Sequence, residues 1–154
     1  MKKAYLILEN GDVYEGASIG AEGDTVGEVV FTTGMGSYME TLTDPSYYGQ
    51  IITQTFPLIG NYGAIDADAE SDRPYCRGYI VRELCREGSN FRKEGELGDW
   101  LKDRGVVGIE GIDTRRLTKT IREKGVMNGM ITPSLARKEE KLAEIRAFRV
   151  TDAP

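Results

Sequence analysis

The chain has 154 residues, 40% of them hydrophobic, and sets 25 Asp plus Glu against 20 Lys plus Arg for a net charge of −5. That length suits one ordinary domain with a core large enough to fold without disulfide or metal staples. The acidic balance, with no basic block, argues against nucleic acid, whose binding rests on basic surfaces that displace counterions.

There is no histidine. Ser-His-Asp and Cys-His pairs and most zinc sites are therefore excluded within this chain, and any chemistry of its own would need carboxylates, lysines or a cofactor. No apolar run approaches the ~20 residues that cross a bilayer. Behind Met1-Lys2-Lys3 the apolar stretch runs only from Ala4 to Leu8, too short for a secretory signal, so a cytoplasmic protein is expected. Cys76 and Cys85 are too few for a disulfide framework and form no C-x-x-C pair; they read as buried or idle thiols.

In chain order, Tyr5-Leu6-Ile7-Leu8 predicts a strand. Asn10-Gly11 predicts a tight hairpin turn, with Val13 to Gly16 as the returning strand. The β-branched and aromatic stretches 27–33 and 50–56 predict two more strands, and Gly78 to Val81 a third. In the second half helix and strand alternate. Leu97 and Leu101 lie four apart, with Trp100 beside them, in a predicted helix 94–104 that Gly105 stops. Val106 to Ile109 is a short buried strand. Asp113 is placed to cap a helix over 114–124, with Leu117 and Ile121 inward and Gly125 ending it. A strand follows at 126–131. Ser134, after Pro133, predicts the start of a last helix with Leu142, Ile145 and Phe148 on one side. Strands first and βαβ-like alternation after them predict an α/β domain with mixed parallel and antiparallel sheet.

Several stretches invite a functional reading. Asp66-Ala67-Asp68-Ala69-Glu70-Ser71-Asp72 resembles a calcium loop only superficially. Positions six and twelve, where glycine and a bidentate glutamate belong, are Ser71 and Arg77, so a solvated acidic loop is the reading. Gly34-Met35-Gly36-Ser37-Tyr38-Met39 follows a strand, but Met39 stands where a dinucleotide fingerprint needs its third glycine. No Gly-Lys-Ser/Thr phosphate loop is present. Asp44-Pro45-Ser46 has the chemistry of a type I turn. Arg115-Arg116 and Arg122-Glu123-Lys124 share the helix after Asp113. They fit either a solvated charged face or a patch of anchoring arginines at a protein interface.

Across much of the chain the sequence resembles one family, the carbamoyl phosphate synthetase small subunit, in its amino-terminal domain. The stretches that carry the resemblance are Gly27-Glu28-Val29-Val30-Phe31-Thr32-Thr33, Thr41-Leu42-Thr43-Asp44-Pro45-Ser46-Tyr47 and Ile59-Gly60-Asn61-Tyr62-Gly63. Ser89-Asn90-Phe91-Arg92, Gly111-Ile112-Asp113-Thr114-Arg115-Arg116-Leu117-Thr118 and Ile121-Arg122-Glu123-Lys124-Gly125 follow in family order. One departure is visible: the family has glycine directly before the tyrosine, whereas here Ser37 precedes Tyr38 and the glycine is Gly36.

The resemblance implies a swivelling β/β/α-type three-layer domain over 1–132, and a terminal helix and linker over 133–154 toward an absent glutamine amidotransferase domain. It implies that this second domain holds a Cys-His-Glu triad, so that no catalytic residue lies in this chain and the fragment alone is inactive. Ammonia released from L-glutamine would pass to a large subunit, which uses ATP, bicarbonate and a divalent metal to make carbamoyl phosphate for pyrimidine and arginine synthesis. This chain itself would hold no cofactor and no metal. Its partners would be the large subunit and its own amidotransferase domain, with no nucleic acid and no membrane. The serine after Asp-Pro, Ser46, would contribute to the glutamine site. Two other readings remain: a free-standing binding or scaffold module of the same fold, and an independent carboxylate-based enzyme. A downstream amidase domain and co-purification with a large subunit discriminate among the three.

Overall fold

The computed structural model describes residues 2–32, 42, 44–55, 58–59, 74–84 and 98–150. The Asn10-Gly11 signal is realised as the turn between β1 (Lys3–Leu8) and β2 (Val13–Gly20). Gly11 takes φ 95°, a left-handed value that side chains oppose. Its N–H donates to the Leu8 carbonyl at 2.8 Å, and the Asn10 side chain accepts from the Asp12 N–H at 3.0 Å. The two strands pair antiparallel, Tyr5 opposite Glu15 and Ile7 opposite Val13.

The remaining strands are β3 (Thr25–Thr32), β4 (Gln50–Gln54), β5 (Leu58–Ile59), β6 (Gly78–Ile80), β7 (Glu83–Leu84), β8 (Val107–Glu110) and β9 (Met127–Thr132). β3, β4, β6 and β8 run parallel in that order, while β5 and β7 form a separate parallel pair. β2 joins β8 antiparallel, and β9 inserts antiparallel between β1 and β3. The α/β class and the mixed sheet are as predicted. What the sequence reading did not anticipate is that the main sheet closes on itself as a barrel, β1-β2-β8-β6-β4-β3-β9.

Alternation along the strands divides the core into an inside and two outer layers. Leu6, Leu8, Val29, Ile51, Ile80, Ile109 and Ile131 share one cluster with Leu117 and Ile121 of helix α1 (Thr114–Lys124). A barrel this narrow is filled by side chains, so an inward glycine makes room for its neighbours. A Cβ on Gly129 would stand 2.8 Å from Val29 Cγ2 and 3.2 Å from the Ile7 carbonyl. On the outer face, Ile52 and Tyr79 pack with Trp100 and Leu101 of a helical segment over 98–103. This is the described part of the helix predicted at 94–104, and Gly105 ends it with φ 73°. On another outer face, Ile7 and Met130 meet Leu142 and Ile145 of helix α2 (Lys138–Ala147).

α2 starts four residues later than predicted. The Ser134 hydroxyl accepts from the N–H of Ala136 at 3.0 Å, a local turn rather than a helix cap, and Arg137 adopts a left-handed φ of 59°. That turn keeps the chain out of helical geometry until Lys138. Leu142 and Ile145 face inward as expected, whereas Phe148 lies past the helix end in extended backbone. Asn128 of β9 fastens that end, its Nδ2 donating to the Ile145 and Phe148 carbonyls at 2.9 and 2.8 Å.

Candidate functional site

Because β3, β4, β6 and β8 run parallel, their carboxyl ends share one rim, the usual position for sites in such sheets. Leaving β8, the chain turns through Gly111 at φ 86° and enters α1 beneath the cap of Asp113. Asp113 Oδ1 accepts from the Arg116 N–H at 3.0 Å, and the Gly125 N–H closes the far end on the Ile121 carbonyl at 2.8 Å. The predicted boundaries of this helix hold at both ends. Thr114, Leu117, Thr118 and Ile121 are buried, the i, i+3, i+4, i+7 face of an amphipathic helix.

The opposite side of α1 walls a groove of about 920 Å³, whose lining includes Thr55 just past β4, Arg82 just past β6, and Arg115, Arg116, Lys119 and Arg122 of α1. The five cations are exposed, and among the described residues none of them forms a salt bridge. Two guanidinium groups are held against aromatic rings instead: Arg116 lies 4.8 Å from the centre of the Tyr14 ring and Arg122 5.4 Å from that of Phe31. Thr118 also lines the groove; it is 9% exposed, and among the described residues its buried hydroxyl has no hydrogen-bond partner. Asp113 and Glu123 add two carboxylates at the border. Arg115, Arg116 and Arg122 were candidates from sequence; Lys119 was not singled out, although it lies four residues from Arg115 and three from Arg122. Arg82 and Thr55 were not, because tertiary pairing alone brings them to α1.

Ser46 lies at the other end of the strands. It sits in a single 3₁₀ turn, Pro45–Tyr47, immediately before β4. Asp44 caps the turn, Oδ1 accepting from the Ser46 N–H at 2.9 Å, while the Tyr47 N–H donates to the Asp44 carbonyl at 3.1 Å. Ser46 is exposed, its amide is committed to the turn, and among the described residues its hydroxyl makes no hydrogen bond. A smaller cavity of about 330 Å³ opens nearby, lined by Tyr48, Gly49, Cys76 and Arg77 among others but not by Ser46.

Cys76 is buried and free. Burial pushes its thiol up to about 12, and the backbone hydrogen bonds from Cys76 and Gly78 offset that only in part. Such a thiol is a packing group, as the sequence predicted. Cys85, the 34–39 glycine turn and the acidic stretch 66–72 lie outside the described residues. Among the described residues no group of three or more His, Cys, Asp or Glu side chains could hold a metal, and no helix is long and apolar enough to cross a membrane.

Residues 6–131 match the family described as carbamoyl-phosphate synthase small chain, CPSase domain. The chain is 51% identical over 150 residues to a carbamoyl phosphate synthase small chain of Listeria innocua, covering 97% of this chain and 41% of that protein. It is 53% identical over 151 residues to that of Clostridium perfringens, covering 98% and 43%. The small chain of Fusobacterium nucleatum is 50% identical over 146 residues, covering 95% and 41%. The chain thus spans about two fifths of the length of the curated relatives it matches. With the match running across barrel and capped helix alike, this chain belongs to the carbamoyl-phosphate synthase small-chain family, in its CPSase domain.

Proposed function

We propose that this chain is the positioning domain of the small subunit of a glutamine-dependent carbamoyl phosphate synthetase. It packs on a large synthetase subunit and on a glutamine amidotransferase domain, and it contributes Ser46 to the glutamine site. The observation that carries this reading is 51% identity over 97% of the chain to a carbamoyl phosphate synthase small chain. The absence of histidine assigns the base of any Cys-His-Glu triad to a part of the subunit other than these residues. Carbamoyl phosphate synthesis itself, with ATP and a divalent metal, falls to the large subunit.

Ser46 suits its role for a physical reason. Pro45 and the Asp44 cap stiffen the turn, so the hydroxyl is presented from a fixed backbone and is not bonded to any described residue. A group held that way orients a polar substrate end with little entropy left to lose. The test uses the full small chain with its large subunit. Wild type is expected to make carbamoyl phosphate from glutamine. Ser46→Ala is expected to raise KM for glutamine by about two- to tenfold, the value of one hydrogen bond, with kcat changed far less. Unaltered glutamine kinetics would remove Ser46 from the site. A small chain that neither hydrolyses glutamine nor binds a synthetase subunit would instead be a scaffold module of the same fold.

A further inference from the structure

We infer that the groove between α1 and Arg82 is a docking surface for a carboxylate-rich face of a partner protein. This deepens the reading above, on which that partner is the large synthetase subunit. Five exposed cations, which form no ion pair among the described residues, converge here on a chain whose net charge is −5, so the positive patch is local and against the overall sign. Arg115 and Arg116 are placed against the dipole of the helix that carries them. Arg115 and Arg116 occupy the first turn, where the macrodipole favours acids, and no acidic residue is there. Arg115 and Lys119 are like charges four apart, Lys119 and Arg122 three apart, both unfavourable in an isolated helix. Stacking on Tyr14 and Phe31 holds two of the guanidinium groups in place before anything binds, which lowers the ordering cost of an encounter.

Two features select a protein face over a small phosphorylated ligand. The stripe from Arg115 to Arg122 runs about 10 Å along the helix axis, with Arg82 beside it, broader than one phosphate group requires. Asp113 and Glu123 flank it, and they repel a polyanion but can pair with basic residues on a mixed-charge surface.

The experiment measures affinity of the full small chain for its large subunit at ionic strengths of about 0.05 and 0.3 M. The variants are R115E/K119E and, outside the helix, R82E; K138E on α2 is the control. Each is first checked for an unshifted melting temperature, and R82E carries the test where the helix variant fails to fold. Both groove variants are expected to bind at least about tenfold more weakly and with a shallower salt dependence than wild type, and K138E within about twofold. Wild-type affinity in a folded groove variant would overturn the docking surface while leaving the proposed function intact. A wild-type small chain that does not bind a large subunit would sink both. Binding of inorganic phosphate that is lost in the groove variants, with subunit affinity unchanged, would make the groove a small-anion site and also overturn the proposal.

Discussion

At Cys76, a single sulfur atom shows how packing decides reactivity. It lies with Ile52, Tyr79, Trp100, Leu101 and Val106, where a charged thiolate finds little solvation. Alkylation by iodoacetamide at pH 8 is therefore expected to leave the Cys76 peptide unmodified in the folded protein and to modify it fully in denaturant, as read by mass spectrometry. The pH dependence has a definite sign. The native thiol keeps its proton up to about 12, whereas the unfolded thiol titrates near 9.0. This contribution to stability is complete below pH 9 and is lost as pH rises toward 12. Denaturant midpoints above pH 9 should fall more steeply for wild type than for Cys76→Ala; parallel slopes would show that the burial does not govern the thiol. Burial of Cys76 was readable from cysteine chemistry alone. The orphan hydroxyl of Thr118 was not, since a threonine on the inner face of a helix looks the same in sequence whether or not an acceptor awaits it.

Among the elements, α1 is the one whose sequence and structure agree most closely, and the reason is local. Asp113 supplies the missing acceptor for the Arg116 N–H, and Gly125 accepts a left-handed φ of 88° that ends the helix. Both devices act within four residues, so pattern reading finds them. Asp113→Ala is expected to cost about 1 kcal/mol of stability by denaturant titration, and Asp113→Asn much less. An equal loss in both would point to the charge rather than the cap. α2 shows the converse. Ser134 after Pro133 has the composition of a cap, yet its hydroxyl serves the Ala136 amide and its carbonyl accepts from Lys141 Nζ. Which of two short-range partners a serine takes depends on where the following turn must point. That direction is set by packing of Leu142 and Ile145 onto Ile7 and Met130, residues far back or across in the chain.

For the whole molecule, a mixed parallel and antiparallel sheet was implied by strands followed by alternating helix and strand, but neither the parallel run β3-β4-β6-β8 nor ring closure was. Closure depends on β9 meeting both β1 and β3, pairings that link Leu6 to Ile131 and Gly27 to Gly129. No period in the sequence records such distant neighbours. The groove was legible only as charged groups on α1, Arg115-Arg116 and Arg122-Glu123-Lys124, and illegible as a groove for the same reason. A closed ring also shapes stability. Each of its strands leans on two others, so one cannot be released without breaking two seams. Amide hydrogen exchange is expected to show Leu6, Ile52 and Ile131 opening together at the global unfolding free energy. Earlier exchange in β9 alone would mean that the ring opens as a flap.

That ring has a further bearing on how the protein is made. β9 is its keystone and the last of its strands to be synthesised. Until residue 132 has cleared the ribosome, β1 and β3 each keep a row of unpaired amides and carbonyls, the kind of edge on which nascent chains stick to one another. A ribosome that stalled between α1 and β9 would thus leave not a slightly shorter domain but an open, adhesive ribbon, and these few residues decide when the polypeptide becomes safe to release.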